Sequence, residues 1–344
     1  MLALVKTAKG EGHLELLDVP EPSITDDEVL IEVKATGICG SDIHLKHDTF
    51  PNWPPVVLGH EFAGEIVETG KNIDDWKVGD RVVGEPHTLH CGKCSLCRRG
   101  YIQNCVDKRP PGSGIDGAFT KYLKYPTHLL HRIPDHMPFE HASLVEPAAN
   151  TVTHIIDRHA IEAGDFVVVQ GPGPIGLLAA QTAKVAGARE VMMIGAPADE
   201  ELRLPAARKL GIDHVVNLGN EDPLERCLEL TDGVGADLVV ECSGAPQAIA
   251  QTLHLVRRWG RICAIGLTGN RPVELDWDVG ITKVATLYFN LSTGYSSWDK
   301  TIWMIADGKI DVEPIITHRL PLTEWEAGFA AAENLEALKV VLTP

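Results

Sequence analysis

Four cysteines fall close together as Cys91-x2-Cys94-x2-Cys97-x7-Cys105. Thiolates at this spacing can close a tetrahedron around a single ion. An iron–sulfur cluster or free thiols are the alternatives, and zinc is favoured because a soft, tetrahedral thiolate set suits it. Four protein ligands leave no open coordination position, so this site should be structural. It would brace a lobe at about residues 86–110 that holds few large apolar side chains. A second set is dispersed: Cys39, the pair His60-Glu61, and Glu146. A catalytic zinc takes three protein ligands and keeps one position open, and Cys, His and Glu can serve together. Taken singly, each residue has a plain alternative as a buried thiol, a loop histidine or a helix-terminal carboxylate.

A third pattern, Gly171-Pro-Gly-Pro-Ile-Gly176, fits G-x-G-x-x-G, with Gly171, Gly173, Pro174, Ile175 and Gly176 at the turn. It follows an apolar strand pattern and opens a helical one, the context in which glycines let the backbone approach a pyrophosphate at a helix N-terminus. An acid should end the next strand if the ribose hydroxyls of NAD are to be held. That place reads Gly195. Arg203 could meet the extra phosphate of NADP, although an ordinary helix-surface arginine is the plainer reading. Asp199, Glu200 and Glu201 would oppose that phosphate, so the balance leans to NAD. An aspartate introduced at Gly195 is expected to strengthen that preference.

These groups need two kinds of scaffold. Before residue 150, short β-like runs such as Glu28–Val33, Phe62–Val67 and Asp80–Val83 alternate with Gly- and Pro-rich turns, the mark of a β-rich or barrel-like domain. Over 151–290, apolar strands at Phe166–Gln170, Glu190–Ile194, His214–Asn217, Asp237–Glu241, Arg261–Ile265 and Ala285–Asn290 alternate with helical patterns. Such alternation predicts an α/β parallel sheet with helices on both faces. The tail, 291–344, ends on a strand-like Leu338–Leu342 and is expected to pack back on the first domain.

At 344 residues the chain has room for two domains. A net charge of −17 opposes phosphate backbones and anionic lipid, which argues against a nucleic-acid or membrane partner. No apolar run is long enough to span a bilayer, and the N-terminus lacks a signal-peptide pattern, so the expected location is cytoplasmic. Of the eight cysteines, Cys227, Cys242 and Cys263 read as small core residues. His87, His90, His128, His131, His136 and His141 read as surface or loop histidines.

Taken together, Gly37-Ile-Cys-Gly-Ser-Asp-Ile-His44, Gly59-His-Glu-Phe-Ala-Gly64 continuing to Gly70, the four-cysteine lobe and the glycine turn resemble the zinc-containing medium-chain dehydrogenases over essentially the whole length. Leu144-Val-Glu-Pro147 and Asp116-Gly-Ala-Phe119 resemble the sorbitol (polyol) and threonine dehydrogenase branch. The resemblance implies a GroES-like catalytic domain plus a Rossmann domain, with the active site in the cleft between them. It implies two zinc ions per chain. The catalytic one would sit on Cys39 and His60, with Glu61 or Glu146 completing the shell. It also implies that Ser41 takes the substrate's proton, that His44 hands it to solvent, and that the chain forms a homodimer or homotetramer.

The expected activity is hydride transfer between a secondary alcohol of a polyol or sugar and NAD or NADP. Two departures bear on the substrate. Gly294-Tyr295 stands where sorbitol-type enzymes carry an Arg-Tyr pair, and the run between Cys97 and Cys105 lacks the histidine usual in threonine dehydrogenases. Trp53, Tyr295 and Trp298 could line a pocket. The alternatives are an amino-alcohol dehydrogenase of the threonine type and a zinc-stabilised nucleotide-binding protein without turnover.

Overall fold

The computed structural model describes residues 1–158, 161–269 and 271–344. The chain divides into two compact units. The first comprises Met1–Ala149, Ser292–Ala306 and Ile316–Pro344, and the second Asn150–Leu291 with Asp307–Ile315. Residues 307–315 therefore leave the tail to which the sequence reading assigned them. Ile310, Val312 and Ile315 are buried, and Gln181 holds Asp311 on both sides, donating to its carbonyl at 3.1 Å and accepting from its N–H at 2.7 Å.

In the first unit, a seven-stranded sheet runs in the order Ile316–Pro321, Lys339–Thr343, Glu28–Gly37, Glu61–Thr69, Arg81–Gly84 and Leu130–Arg132. Tyr122–Pro126 pairs additionally with the long strand Glu28–Gly37. That strand alternates buried Val29, Ile31, Val33 and Ala35 with half-exposed residues, the period-two pattern of a sheet with one packed face. Its buried side chains meet Phe62, Ile66, Val82, Leu123 and Tyr125 in one core. A second core joins Leu4, Ile38, Leu58 and Phe119 to Phe329, Val340 and Leu342 of the C-terminal segment.

In the second unit, six parallel strands form one sheet: Phe166–Gln170, Glu190–Gly195, His214–Asn217, Ala236–Glu241, Val256–Ala264 and Thr286–Phe289. Numbered in chain order they lie 3-2-1-4-5-6 across the sheet, the doubly wound arrangement. The first strand is buried at every residue, as a parallel strand covered on both faces must be. Strand order reverses between the first and fourth strands, so the switch point lies at Gln170 and Glu241, which are paired across the ladder.

Candidate active site

Cys39 is separated in sequence from the adjacent pair His60-Glu61, and the sheet register brings the three together. Gly37 pairs with Glu61 on one side and with Val341 on the other. Cys39 follows the end of the first of these strands as the N-cap of helix Gly40–Lys46, and His60 precedes the start of the next. One ligand atom from each of Cys39, His60 and Glu61 lies within 4.8 Å of the others. Gly37 makes this possible, because a Cβ there would fall 2.2 Å from Glu61 Oε2. Glu61 is fully buried, and its carboxylate can cross the neighbouring strand only where that strand has no side chain.

The surroundings are suited to a cation. Asp42, also fully buried, accepts the Cys39 N–H on Oδ2 at 2.8 Å. Its Oδ1 has no hydrogen-bond partner and lies 3.7 Å from His60 Nδ1. His60 thus has one ring nitrogen turned to a carboxylate, the usual support behind a metal-binding imidazole. Burial pushes the His60 pKa down, but Asp42, Cys39 and Glu146 together raise it well above its ordinary value. Such a concentration of negative charge favours a bound cation as it favours a proton. The thiolate, imidazole and carboxylate donor set fits zinc.

Sequence reasoning did not reveal Lys339. It is 4% exposed and donates to both carboxylate oxygens of Glu61, at 2.9 and 2.8 Å, and to the Ile38 carbonyl at 3.0 Å. Burial lowers its pKa, but Glu61 and Cys39 outweigh that and raise it. Glu146, in the first turn of helix Val145–Thr151, is outside the three-residue group, although its charge helps raise the pKa of both His60 and Lys339. Ser41 Oγ lies 3.4 Å from His60 Nε2. His44 is half-exposed, with Nδ1 3.0 Å from Thr49 Oγ1.

The four lobe cysteines also converge. Cys91 Sγ lies 4.0 Å from Cys97 Sγ and 3.6 Å from Cys105 Sγ. Tetrahedral zinc with bonds of about 2.3 Å requires sulfur–sulfur edges of about 3.8 Å, so this spacing fits. Backbone N–H groups of Cys91, Cys94 and Cys97 point at Cys105, Cys91 and Cys94 sulfurs at 3.3–3.4 Å. Donation from the Lys93 and Cys94 amides lowers Cys91 to about 6, while burial and the neighbouring thiols push Cys97 up to about 12.

Two of the histidines read as surface residues are buried: His87 at 1% and His131 at 4% exposure. His87 Nε2 donates to the Thr293 carbonyl at 3.1 Å, and burial lowers its pKa to about 3. His131 lies between Asp299 at 2.7 Å and Glu85 at 3.1 Å, stacked on fully buried Trp298. Trp298 is thus a packing residue, whereas Trp53 and Tyr295 are exposed.

In the second unit, helix Pro174–Val185 begins at the N-cap Gly173 with no side-chain cap, so its first amides are available to an anion. Gly176 has to lack a side chain, because a Cβ there would meet the Gly171 carbonyl at 1.9 Å. A Cβ on Gly173 would face open space, with only Arg203 Nη1 near at 4.0 Å. This backbone cradle fits a pyrophosphate. Gly195 does end the second strand, but the space beside it is crowded by side chains. Its Cβ would lie 2.6 Å from Leu204 Cδ2 and 2.9 Å from Pro172 Cγ, so an aspartate there would have to displace these side chains to reach a ribose.

A structural class follows from these features: a two-unit chain with a sheet-built Cys–His–Glu site, a four-thiol lobe and a doubly wound dinucleotide fold. Comparison with known proteins agrees. Residues 25–135 match the alcohol dehydrogenase GroES-like domain and 174–307 the zinc-binding dehydrogenase family. A sorbitol dehydrogenase of Halalkalibacterium halodurans is 39% identical over 100% of this chain and 99% of its own length. A D-arabitol-phosphate dehydrogenase of Enterococcus avium is 37% identical over 99% of this chain and 97% of its own. The crystal structure of a zinc-binding dehydrogenase from Sinorhizobium meliloti 1021 bound to NADP superposes with a TM-score of 0.92 at 29% identity, covering 100% and 99% of the two chains. The chain belongs to the zinc-binding dehydrogenase family with a GroES-like domain, and is a zinc-dependent, nicotinamide-linked alcohol oxidoreductase.

Proposed function

We propose that the enzyme oxidises a secondary alcohol of a polyol or sugar-like substrate, with Cys39, His60 and Glu61 holding the catalytic zinc and Cys91, Cys94, Cys97 and Cys105 a structural one. The convergence of Cys39, His60 and Glu61 within 4.8 Å carries this reading, and the polyol substrates named for the two relatives support the substrate class. When bound, zinc supplies Lewis-acid polarisation of an alcohol oxygen and the dinucleotide supplies a hydride acceptor. The chain's own residues do the rest. Asp42 holds the His60 ring, and Lys339 fixes and partly neutralises Glu61, so that the site is not flooded with negative charge. Ser41 accepts the substrate proton, and half-exposed His44 passes it to water. Glu146 contributes charge from just outside the ligand group.

The dinucleotide rests on Gly171, Gly173, Pro174, Ile175 and Gly176, with Gly195 and Arg203 at the ribose end. A homodimer or homotetramer is supported by the strand Thr286–Phe289, which ends its sheet and carries exposed Leu287 and Phe289. Apolar side chains exposed at a sheet edge can be covered by a partner copy. A cytoplasmic location is supported by eight cysteines without a disulfide. Among the described residues, no helix is long and apolar enough to cross a membrane.

The test is a screen of polyols, sugars, phosphorylated polyols and L-threonine with NAD and NADP, run beside a zinc count. Turnover of a polyol with two zinc ions per chain is expected. Threonine turnover without any polyol activity would reject the substrate class. Ser41→Ala should lower kcat about 10²–10⁴-fold, the usual range for losing a positioned proton acceptor.

A further inference from the structure

The second strand ends in Gly195, where a fold of this type places an acid to read the adenosine ribose. The space that such a side chain would fill is occupied. A Cβ on Gly195 would lie 3.2 Å from Asp199 Oδ2 as well as against Leu204 and Pro172. Asp199 closes the short turn Pro197–Asp199 and is 7% exposed. Its Oδ2 accepts the Ala196 N–H at 2.8 Å, and its Oδ1 lies 3.5 Å from Arg203 Nη1. Oδ1 therefore keeps acceptor capacity beyond one long ionic contact. The carboxylate has been carried four residues along the chain and folded back over the strand end.

The neighbouring charges point the same way. Arg203 Nη1 also lies 4.0 Å from where a Gly173 Cβ would be, so its guanidinium reaches from Asp199 towards the glycine turn, on the pyrophosphate side. Glu200 is fixed by Asn217 Nδ2 at 2.7 Å, at the end of the third strand, and by Arg208 at 3.0 Å. Arg203 and Arg208 thus each have an acid within ionic reach. A 2′-phosphate would meet the carboxylates of Asp199 and Glu200, with Arg203 and Arg208 each shared with one of those acids, whereas a 2′-hydroxyl can donate to Asp199.

We propose that Asp199 is the ribose-reading carboxylate of this site, standing in space for the acid that Gly195 cannot be, and that it makes the enzyme select NAD over NADP. The proposal rests on the nicotinamide-linked reading above and deepens it.

The test is the dissociation constants of NADH and NADPH, measured by nicotinamide fluorescence with no substrate present, for the wild type, Asp199→Asn and Asp199→Ala. The wild type should bind NADH at least about tenfold more tightly than NADPH, the scale of one charge-assisted hydrogen bond. Asp199→Ala should weaken NADH about tenfold and leave NADPH unweakened, so that the selectivity collapses. Asp199→Asn keeps an oxygen for the Ala196 N–H, and it should show the same loss of selectivity in a turn that remains capped. A wild type that prefers NADPH, or equal weakening of both dinucleotides in both variants, would overturn the proposal. If the wild type bound neither dinucleotide, the nicotinamide reading would fail first and this proposal with it.

Discussion

The two thiol-bearing sites of the first unit are built in opposite ways. The lobe takes its four ligands from one short stretch, in which helix Ser95–Arg98 is a single turn with no buried residue. Its sulfurs are held by local backbone N–H groups, and the ion itself would be its core. The Cys–His–Glu site takes its ligands from the ends of paired strands. It is backed by a fully buried aspartate and a fully buried ion pair, Glu61 with Lys339. The first arrangement makes fold depend on metal, and the second offers metal a geometry the fold already holds. This is the physical difference between a closed structural site and one that keeps a position open for chemistry.

The sharpest way to break that comparison is to remove one thiol from each site. Cys39→Ser should cost about 10³-fold or more in kcat/KM, equivalent to ~4 kcal/mol of transition-state stabilisation. It should lose one zinc of two and leave the far-ultraviolet spectrum and Tm nearly unchanged. Cys94→Ser should also lose one zinc, but with a lowered Tm and new proteolytic cuts near residues 86–110, because metal-binding energy in such lobes is folding energy. If both variants lost stability equally, or if Cys39→Ser retained full turnover, the assignment of roles would be wrong.

A smaller effect separates the sites through Lys339. Lys339→Met leaves the buried Glu61 carboxylate without its partner, a change that costs about 3–5 kcal/mol where no other cation compensates. If Glu61 binds the ion, zinc should restore part of this loss. The expected result is a large drop in Tm for chelator-treated protein and a smaller one for the zinc-loaded form. Equal drops would place Glu61 outside the metal shell and favour Glu146 in its stead.

The contrast also explains what could be read without coordinates. The lobe was legible because its ligands share a local spacing. The parallel strands around Phe166–Gln170 and Glu190–Gly195 were legible because runs such as Phe166–Val169 and Val191–Ile194 are apolar without a break. The fifth strand begins earlier than its apolar part suggests, at Val256, since Arg257, Arg258 and an exposed Trp259 hide its first residues. The grouping of Cys39, His60 and Glu61 rested on resemblance, because nothing in the residues themselves reveals that Gly37 faces Glu61. Lys339 lies in the run Leu338–Leu342, where a lone lysine reads as solvent-facing. Only the burial of Val340, Val341 and Leu342 on both sides of the strand signals that it needs a buried partner. His87 and His131 were misread for a related reason: a histidine's burial is decided by the tertiary partners Thr293, Glu85 and Asp299, which are distant in sequence.

The last and smallest effect concerns how the lobe is rooted in the sheet. Glu85 and His87 lead into the cysteines. Glu85 donates its N–H to Leu129 at 2.9 Å and accepts from Tyr125 Oη at 2.6 Å. His87 has a pKa lowered by burial to about 3. Between that value and its unfolded value near 6.5 the unfolded chain binds the extra proton, so stability falls as pH drops through this window, with a slope approaching about 1.4 kcal/mol per pH unit. His131 behaves oppositely. Burial lowers its pKa, but Glu85 and Asp299 outweigh that and raise it above the ordinary value. Its stabilisation is complete below the unfolded pKa and is lost as pH rises through the folded one. The two should give a stability maximum near the ordinary histidine range. Denaturant unfolding from pH 5 to 9 should show the acid limb flattened in His87→Phe and the alkaline limb flattened in His131→Gln. Release of zinc from the lobe thiolates also steepens the acid limb, so the comparison is made on zinc-loaded protein as the difference in slope between variant and wild type. If His87→Phe left the acid slope unchanged, loss of the metal would control acid stability, and the lobe would be held by its ion with no measurable help from its root.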